Sequence, residues 1–361
     1  MLLTGSTGFL GIHLLHEFIK NHDGIAYCLI RPDQKVGSTN RLQSLLEYHF
    51  HDNYKDLFTD RIVVIDGDLT KKDFFSKCSD LSIDTIINAA ANVKHFSQSD
   101  DIEKVNICGV ENLLEFSRNK NINFIQISTT SIGGDAYKTS RFNNTLLDEN
   151  TFFFGQDLSN KYCYSKFMAE RLCFEEALKG ENIKIMRVGN LMGRESDGGF
   201  QINFDTNAFL NLVRSFCLIG QVPYNIMVNK IFMDSIDATA KSILLLATTP
   251  KENILLHPFN NHQVMVLDIF KVISEFGINV KSVESNDFNV GLKKVLSNHK
   301  NILYLNSLLQ LDSADNMGFD NINNDLTISI LLRLNYQFSI IDDDYLRKCI
   351  DHLCKIGFFD L

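Results

Sequence analysis

The stretch NKYCYSKFMAERLCFEEAL carries Tyr162 and Lys166 four residues apart. The stretch has a helical pattern, and this spacing places the phenol and the ammonium on one helix face, where both can meet the same ligand. A phenol has a pKa of about 10, and an adjacent ammonium lowers this pKa by stabilising the phenolate. The pair can therefore exchange a proton with a substrate oxygen. Tyr164 is two residues from Lys166 and points elsewhere, so we interpret it as a pocket wall or packing residue.

A run of hydroxyl side chains, STTS at residues 128–131, precedes this helix in the chain. It stands at the carboxyl end of the segment INFIQISTTSIGG, which predicts a buried strand. A hydroxyl at a strand end can hold a carbonyl oxygen in line with the phenol. We assign this role to Thr129, and Thr130 is the alternative.

Three glycines, Gly5, Gly8 and Gly11, are spaced as G-x-x-G-x-x-G in TGSTGFLG, between an apolar strand and an amphipathic helix. The first glycine allows a sharp reversal, the second lets amides approach a pyrophosphate, and the third lets the helix pack closely on the sheet. A structural glycine turn would look the same, but the strand–turn–helix setting favours a dinucleotide site. The remaining contacts predicted here are Ser6, Thr7, Phe9 and Leu10.

The second predicted strand, IAYCLI, ends at Arg31, twenty residues after Gly11. A carboxylate at this position would accept hydrogen bonds from both adenosine ribose hydroxyls and favour NAD, whereas a guanidinium matches a 2′-phosphate. We therefore predict NADPH. Asp33 follows two residues later and keeps NAD open as an alternative. Arg41 is a second candidate phosphate ligand or, alternatively, a solvated helix residue.

Further strands are predicted at residues 61–69, 83–96 and 182–193, with helices between them. This alternation predicts an α/β fold with a doubly wound parallel sheet of the Rossmann type, whose ligands bind at the carboxyl ends of the strands. Asp68 and Leu69 end the third strand and are suited to bordering an adenine. The small residues after the fourth strand let the backbone lie against a cofactor. The other predicted cofactor contacts are Asn88, Ala89, Ala90, Asn106, Gly189 and Asn190.

The pattern changes after residue 200. We expect a cofactor domain over residues 1–200, with a return at 228–260 as a strand followed by a helix, and a smaller, mainly helical substrate or lid region over 201–361. The helix predicted in FDTNAFLNLVRSFCLIG is either a lid, an acyl-pocket wall or a core helix. The tail DDDYLRKCIDHLCKIGFF begins with acidic residues suited to a helix N-terminus.

Composition excludes several classes of protein. The 361 residues carry a net charge of -9, which disfavours nucleic acid as a partner. No apolar run reaches the roughly 18 residues needed to span a bilayer, and no signal or transit peptide precedes the first strand, so we expect a cytoplasmic protein without membrane insertion. Met1 almost abuts that strand, which favours a piece of a longer polypeptide.

Cysteines and histidines are scattered along the chain. The eight cysteines form no C-x-x-C pair, and we expect buried thiols in a reducing compartment. The histidines show no metal-ligand spacing, so we predict no metal site. His95 either lines a substrate channel or is structural. Lys94 or Arg194 could attract a phosphate, although solvated surface is the simpler interpretation of both.

The glycine turn, the STTS strand end and the Tyr–Lys helix together resemble the extended short-chain dehydrogenase/reductase superfamily. More narrowly, the chain resembles the thioester reductase domains of nonribosomal peptide and polyketide synthases and of carboxylic acid and aminoadipate reductases. This likeness covers residues 2–223 and returns weakly later. It is carried by CLIRPD, RLQSLL, NAAANVKHF, VNICGVENLL, RVGNLMGR and NAFLNLVRSFCLIGQVP.

The resemblance implies NADPH-dependent release of an acyl or peptidyl thioester from the phosphopantetheine arm of a carrier protein, as an aldehyde or further as an alcohol. It implies a catalytic set of Thr129, Tyr162 and Lys166. Thr129 is chosen because the hydroxyl of the superfamily usually lies five residues before a glycine that is Gly134 here.

Three alternatives remain open at this point. The chain could be a fatty acyl-CoA reductase, a nucleotide-sugar epimerase or dehydratase, or a sensor that binds NADPH without turnover. The RVGNLMGR and NAFLNLVRSF segments argue against the sugar enzyme, and the intact Tyr–Lys pair argues against the sensor.

Overall fold

A computed structural model describes residues 1–33, 35–93, 101–133, 147–204, 207–297, 305, 308 and 322–360. The strands in this part of the chain are β1 (Leu2–Thr4), β2 (Ala26–Ile30), β3 (Ile62–Asp66), β4 (Thr85–Asn88), β5 (Asn123–Thr129), β6 (Ile183–Val188), β7 (Leu191–Met192), β8 (Gln221–Pro223), β9 (Lys230–Phe232), β10 (Asp234–Ser235), β11 (Leu255–Leu256), β12 (Gln263–Met265) and β13 (Lys281–Val283).

The helices in the same residues fall between and after these strands. They are α1 (Phe9–Asn21), α2 (Ser38–Phe50), α3 (Leu57–Asp60), α4 (Phe74–Cys78), α5 (Asp101–Glu103), which continues through a π-helical segment (Lys104–Cys108) into α6 (Gly109–Ser117), then α7 (Lys161–Leu178), α8 (Ala208–Ile219), α9 (Tyr224–Met227), α10 (Ile236–Ala247), α11 (Val266–Glu275), α12 (Ser285–Leu296), α13 (Asp325–Arg333) and α14 (Asp343–Lys355).

Seven parallel strands form the main sheet in the order β11-β6-β5-β4-β1-β2-β3. The chain starts at β1 and winds outward through β2 and β3, then returns to the other side of β1 at β4. The strand order therefore reverses between β1 and β4, where a doubly wound sheet opens a crevice for ligands. The predicted fold class is confirmed.

Two layers of helices cover the sheet. On one face α1, α2 and α10 contribute buried apolar side chains, and α13 adds Leu331. On the other face the buried apolar residues come from α4, α6 and α7. Burial on both faces explains why β1 and β2 are almost uniformly apolar rather than alternating.

A third apolar cluster lies in the later part of the chain, where α8, α11, α12 and α14 pack together. Leu212, Val213 and Phe216 of α8 are buried in it, so this face of the predicted helix packs into the apolar cluster. The predicted tail helix is present as α14. Its first turn is capped by the Asp342 side chain, which accepts a hydrogen bond from the Tyr345 amide at 2.9 Å.

The return to the sheet differs from the prediction in its strand. The segment at β9 pairs antiparallel with β12, outside the main sheet, and the strand that joins β6 is β11. The predicted helix is confirmed as α10, which packs against α1. A short apolar run does not specify its partner strand, and that ambiguity accounts for the error.

Two other expectations concern burial. All eight cysteines are free thiols and six are buried, as predicted. Arg194 is not solvated surface: its residue is 8% exposed and its guanidinium pairs with Asp197 at 2.7 Å. None of the described helices has both the length and the hydropathy needed to cross a membrane.

Candidate active site

The glycine turn between β1 and α1 is packed directly against the end of β4. Gly5 has a φ of +72°, and a Cβ there would lie 2.6 Å from the Ala89 carbonyl carbon and the Ala90 nitrogen. A Cβ on Gly11 would collide with the Gly5 carbonyl oxygen. The Gly8 amide donates to the Gly5 oxygen at 2.8 Å and closes the turn.

The opening of α1 suits a phosphate. Gly8 caps the helix without a side-chain hydrogen bond, and no acidic residue occupies the first turn. The first amides of a helix lack intrahelical partners, and the helix dipole adds positive potential there. Thr7, Phe9 and Leu10 lie in this opening turn, whereas Ser6 is buried beneath it. The chain can therefore cradle a pyrophosphate at the strand-order reversal.

Arg31, Asp33 and Arg41 are brought together beyond the end of β2. The Arg41 Nη2 donates to the Arg31 carbonyl at 3.3 Å, and its Nη1 lies 3.9 Å from the Asp33 carboxylate. The Arg41 Nε is buried and has no hydrogen-bond partner among the described residues. Arg31 itself is exposed. Arg31 and Arg41 therefore lie together beyond the end of β2, and the Asp33 carboxylate lies beside Arg41.

The ends of β3 and β4 border the same crevice. Asp68 accepts two hydrogen bonds from Thr70 at 2.9 Å, and Leu69 is buried. The Asn88 side chain is fixed across the sheet, since it accepts from Thr4 at 2.6 Å and donates to Gln126 at 2.8 Å. Asn88 therefore orders the strand ends, while the backbone after it lies against the glycine turn.

Thr129, Tyr162 and Lys166 converge where α7 passes the end of β5. A hydrogen bond joins the Thr129 side chain to the Tyr162 phenol. Lys166 donates from Nζ to the Ile127 carbonyl at 2.9 Å, two residues before Thr129 on the same strand. All three predicted residues are at least nine-tenths buried. Tyr164, in contrast, is 38% exposed.

The first turn of α7 is held by Asn160. Its side chain accepts hydrogen bonds from the Tyr162 amide at 2.9 Å and from the Cys163 amide at 3.2 Å. Asparagine is among the most favourable helix N-caps because it satisfies amides that have no intrahelical partner. The cap fixes where α7 begins and hence where the Tyr162 phenol stands.

The pKa of Tyr162 departs from the prediction. Burial raises this pKa above its ordinary value, and the hydrogen bond from Thr129 opposes that shift without overcoming it. The predicted lowering by an ammonium is wrong for this structure, because Lys166 directs its Nζ to the Ile127 carbonyl. Burial also lowers the pKa of Lys166, to about 8. The phenol is therefore protonated at neutral pH, the state that a proton donor requires.

Three residues predicted to contact the cofactor make contacts with neighbouring segments of the protein. The Asn106 side chain accepts from the Asn92 amide at 2.7 Å and donates to the Ser165 hydroxyl at 2.9 Å, which ties the segment after β4 to α7. Gly189 lies against the buried Asp234 carboxyl, and the Asn190 Nδ2 donates to the Phe232 carbonyl at 3.3 Å. The Asn106 and Asn190 side chains and the Gly189 backbone thus contact segments that position the site.

Sequence reasoning missed a buried polar network behind Lys166. Glu170 of α7 pairs with Arg187 of β6, and both side chains have 0% exposure. Ser128 donates to Glu170 at 2.5 Å, and Arg187 lies 3.3 Å from the His257 ring nitrogen. The one signal in the sequence was a glutamate one helical turn after Lys166. Three further predictions, Lys94, His95 and the glycine at 134, lie outside the described residues.

Comparison with known proteins places the chain among reductase domains. A family model described as male sterility protein, of the NAD-binding type, matches residues 3–243. A solved thiolation-reductase di-domain from an archaeal non-ribosomal peptide synthetase is 38% identical, with a TM-score of 0.92, and the match covers 99% of this chain and 75% of that chain.

Curated relatives are larger proteins. Probable polyketide synthase 45 of Dictyostelium discoideum is 28% identical over 70% of this chain and 8% of its own length. The L-2-aminoadipate reductase of Schizosaccharomyces pombe is 23% identical over 84% of this chain and 22% of its own length. The chain therefore spans less than a quarter of these two relatives.

Proposed function

Since the chain belongs to the NAD-binding family described as male sterility protein, we propose that it reduces a carrier-bound acyl or peptidyl thioester and releases it as an aldehyde. The observation that carries this proposal is the hydrogen-bonded Thr129–Tyr162 pair, with Lys166 one turn away, at the strand ends beside the glycine turn. The 38% identical di-domain, whose title joins thiolation and reductase units, supports a carrier as the partner.

NADPH is the proposed reductant. Its pyrophosphate would be held by the turn from Gly5 to Gly11, and its 2′-phosphate by Arg31 and Arg41, whose buried Nε lacks a hydrogen-bond partner among the described residues. Asp68 and Leu69 would border the adenine, and the backbone at Ala89 and Ala90 would lie along the cofactor. When bound there, the reduced nicotinamide supplies the hydride.

Side chains of this protein stabilise and protonate the substrate oxygen. Negative charge develops on the thioester oxygen as the carbonyl carbon is reduced, and the hydroxyls of Thr129 and Tyr162 stabilise it. Tyr162 supplies the proton. Lys166, whose Nζ donates to the Ile127 carbonyl, is proposed to bind a ribose of the cofactor. The resulting hemithioacetal loses the carrier thiol and becomes an aldehyde. The helical region from residue 201 onward is proposed to shape the acyl site.

The test is NADPH consumption with one acyl group presented on several carriers. The acyl chain would be offered as an N-acetylcysteamine thioester, on a phosphopantetheinylated carrier protein and as acyl-CoA, with a UDP-sugar as a separate arm. We expect NADPH oxidation and an aldehyde, identified by mass spectrometry, with the carrier-bound thioester preferred. Conversion of the UDP-sugar, or NADPH binding without consumption on any thioester, would contradict the proposal.

A further inference from the structure

Glu170 lies one turn after Lys166 on α7 and is completely buried. Its two carboxylate oxygens take separate partners on Arg187, with Oε1 accepting from Nε at 2.9 Å and Oε2 from Nη2 at 2.7 Å. The Ser128 hydroxyl donates to the same Oε1 at 2.5 Å. Because Ser128 immediately precedes Thr129, this carboxylate ties the end of β5 to the helix that carries Tyr162 and Lys166.

All three guanidinium nitrogens of Arg187 donate hydrogen bonds. Its Nη1 donates to the Thr151 carbonyl at 2.9 Å and lies 3.3 Å from the His257 Nε2. Burial and then the charge of Arg187 lower the pKa of His257 to about 3, so this ring is neutral. Its Nδ1 donates to the Asn323 carbonyl at 2.8 Å, which leaves Nε2 to accept from Arg187. The cluster of Glu170, Arg187 and neutral His257 therefore holds one cation and one carboxylate, and Lys166 lies one turn before Glu170 on α7.

We propose that Glu170 is a positioning residue that places a fixed negative charge one helical turn from Lys166 and holds Lys166 in register with the strand end bearing Thr129. The inference rests on the proposed function, because Lys166 contacts a cofactor or substrate only within that proposal. Glu170 acts through Lys166 and Ser128 and touches neither cofactor nor substrate.

The electrostatic influences on Lys166 agree with this geometry. Burial lowers the pKa of Lys166 to about 8, and the largest opposing influence is the charge of Glu170, followed by Cys173. Burial raises the pKa of the Cys173 thiol well above its ordinary value, so that thiol is uncharged at neutral pH. Glu170 is thus the acting anion. The elements packed against α7 also carry the charged or titratable residues Asp101, Glu103, Lys104, Cys108, Glu111, Glu115, Arg118, Lys184 and Arg187.

The pKa of Lys166 determines how activity depends on pH. Lys166 loses its proton as the pH rises through about 8, so activity that needs the ammonium falls on the alkaline side. Removing the charge of Glu170 lowers the pKa of Lys166 further, because a buried cation then has no opposing anion. The alkaline limb of the kcat/KM profile should move to lower pH by about one unit.

Glu170→Gln is the primary variant, and Glu170→Gln combined with Arg187→Met guards against misfolding. The single variant leaves Arg187 buried and unpaired, which destabilises the fold, whereas the double variant removes both charges. Glu170→Asp retains the carboxylate. Glu176→Gln is the matched control, since Glu176 is on the same helix and pairs with Arg118 at 2.6 Å, away from Lys166.

We expect the alkaline limb to shift in Glu170→Gln and to remain shifted in the double variant even though its thermal midpoint recovers. Glu170→Asp should restore the limb towards wild type, and Glu176→Gln should leave it unchanged. If the double variant regains both stability and the wild-type profile, Glu170 is merely structural and the inference is overturned.

A direct titration separates this inference from the proposed function. Proteins labelled with 13C at the lysine Cε would be titrated by NMR without substrate, and the Lys166 resonance assigned with Lys166→Arg. A lower Lys166 pKa in both Gln-containing variants supports the inference even if no thioester is reduced. An unchanged Lys166 pKa overturns it, whatever the enzyme turns over.

Discussion

At the glycine turn the proposed site is built from backbone, whereas around Lys166 it is built from buried side chains. Gly5 and Gly11 leave no room for a Cβ, and the turn lies directly on the Ala89–Ala90 backbone. Lys166, by contrast, lies one helical turn from Glu170, whose buried carboxylate pairs with Arg187 of β6. The glycine turn lacks side chains that would block the proposed phosphates. The second region places buried charges near the Lys166 ammonium.

Substitutions in the two regions should therefore impair different properties, cofactor binding in the first and stability in the second. A side chain added at the turn should block binding and leave the sheet intact elsewhere. A charge removed behind Lys166 should weaken folding itself, because its partner stays buried.

The largest effect on stability should come from Arg187→Met. This change leaves Glu170 buried without its cation and should lower the free energy of unfolding by about 3–5 kcal/mol. Urea denaturation followed by circular dichroism measures the loss. Arg171→Met is the control, since Arg171 pairs with Glu175 on the exposed side of the same helix. Equal losses in the two variants would remove the distinction between buried and exposed pairs.

Gly5→Ala should abolish tight cofactor binding. The added methyl group meets the Ala89–Ala90 backbone, so the turn must move away from the crevice, and we expect NADPH affinity to fall by about 100-fold, equivalent to ~2.7 kcal/mol. Fluorescence titration measures it. Gly277→Ala is the matched control, because Gly277 has a similar φ of +85° with open space around it. Wild-type affinity in Gly5→Ala would show that the close contact is unimportant.

Arg31→Ala should alter cofactor choice by a smaller amount. Loss of a charge-assisted contact with the 2′-phosphate should weaken NADPH by about tenfold and leave NADH nearly unchanged. The ratio of the two dissociation constants is the readout. Lys35→Ala, which removes an exposed cation from the same loop, should preserve the ratio. A retained preference in Arg31→Ala would show that Arg31 does not select the 2′-phosphate.

The smallest effect should follow removal of a helix cap. Asn160→Ala should cost about 1 kcal/mol of stability, and it should also reduce turnover because it loosens the turn that carries Tyr162. Asn207→Ala removes the equivalent cap of α8, whose Oδ1 accepts from Leu210 at 2.8 Å. Similar melting temperatures with turnover reduced only in Asn160→Ala would support the comparison, and equal turnover would weaken it.

The two regions also differ in how far the sequence reveals them. The glycine turn is encoded within a few consecutive residues, and the four-residue spacing of Tyr162 and Lys166 gave their shared helix face. The network behind them joins groups 17 and 70 residues apart, from Glu170 to Arg187 and from Arg187 to His257. No local pattern specifies such partners.

Burial explains two wrong predictions, those for the pKa of Tyr162 and for the exposure of Arg194. The sequence showed an ammonium near a phenol and so predicted a lowered pKa for Tyr162, but complete enclosure of the ring raises this pKa. Similarly, Arg194 was interpreted as surface because its partner, Asp197, gives no sign of being folded over it. Both effects depend on tertiary packing.

The most direct test of the account is turnover of a carrier-bound thioester by Tyr162→Phe and Tyr164→Phe. Tyr162 is buried against Thr129, whereas Tyr164 is exposed two residues away, so the two substitutions remove the same hydroxyl from opposite settings. With NADPH binding retained in both, Tyr162→Phe should lose about 10²–10⁴-fold in kcat and Tyr164→Phe should match wild type. Near-wild-type turnover by Tyr162→Phe would contradict the assignment of the proton donor.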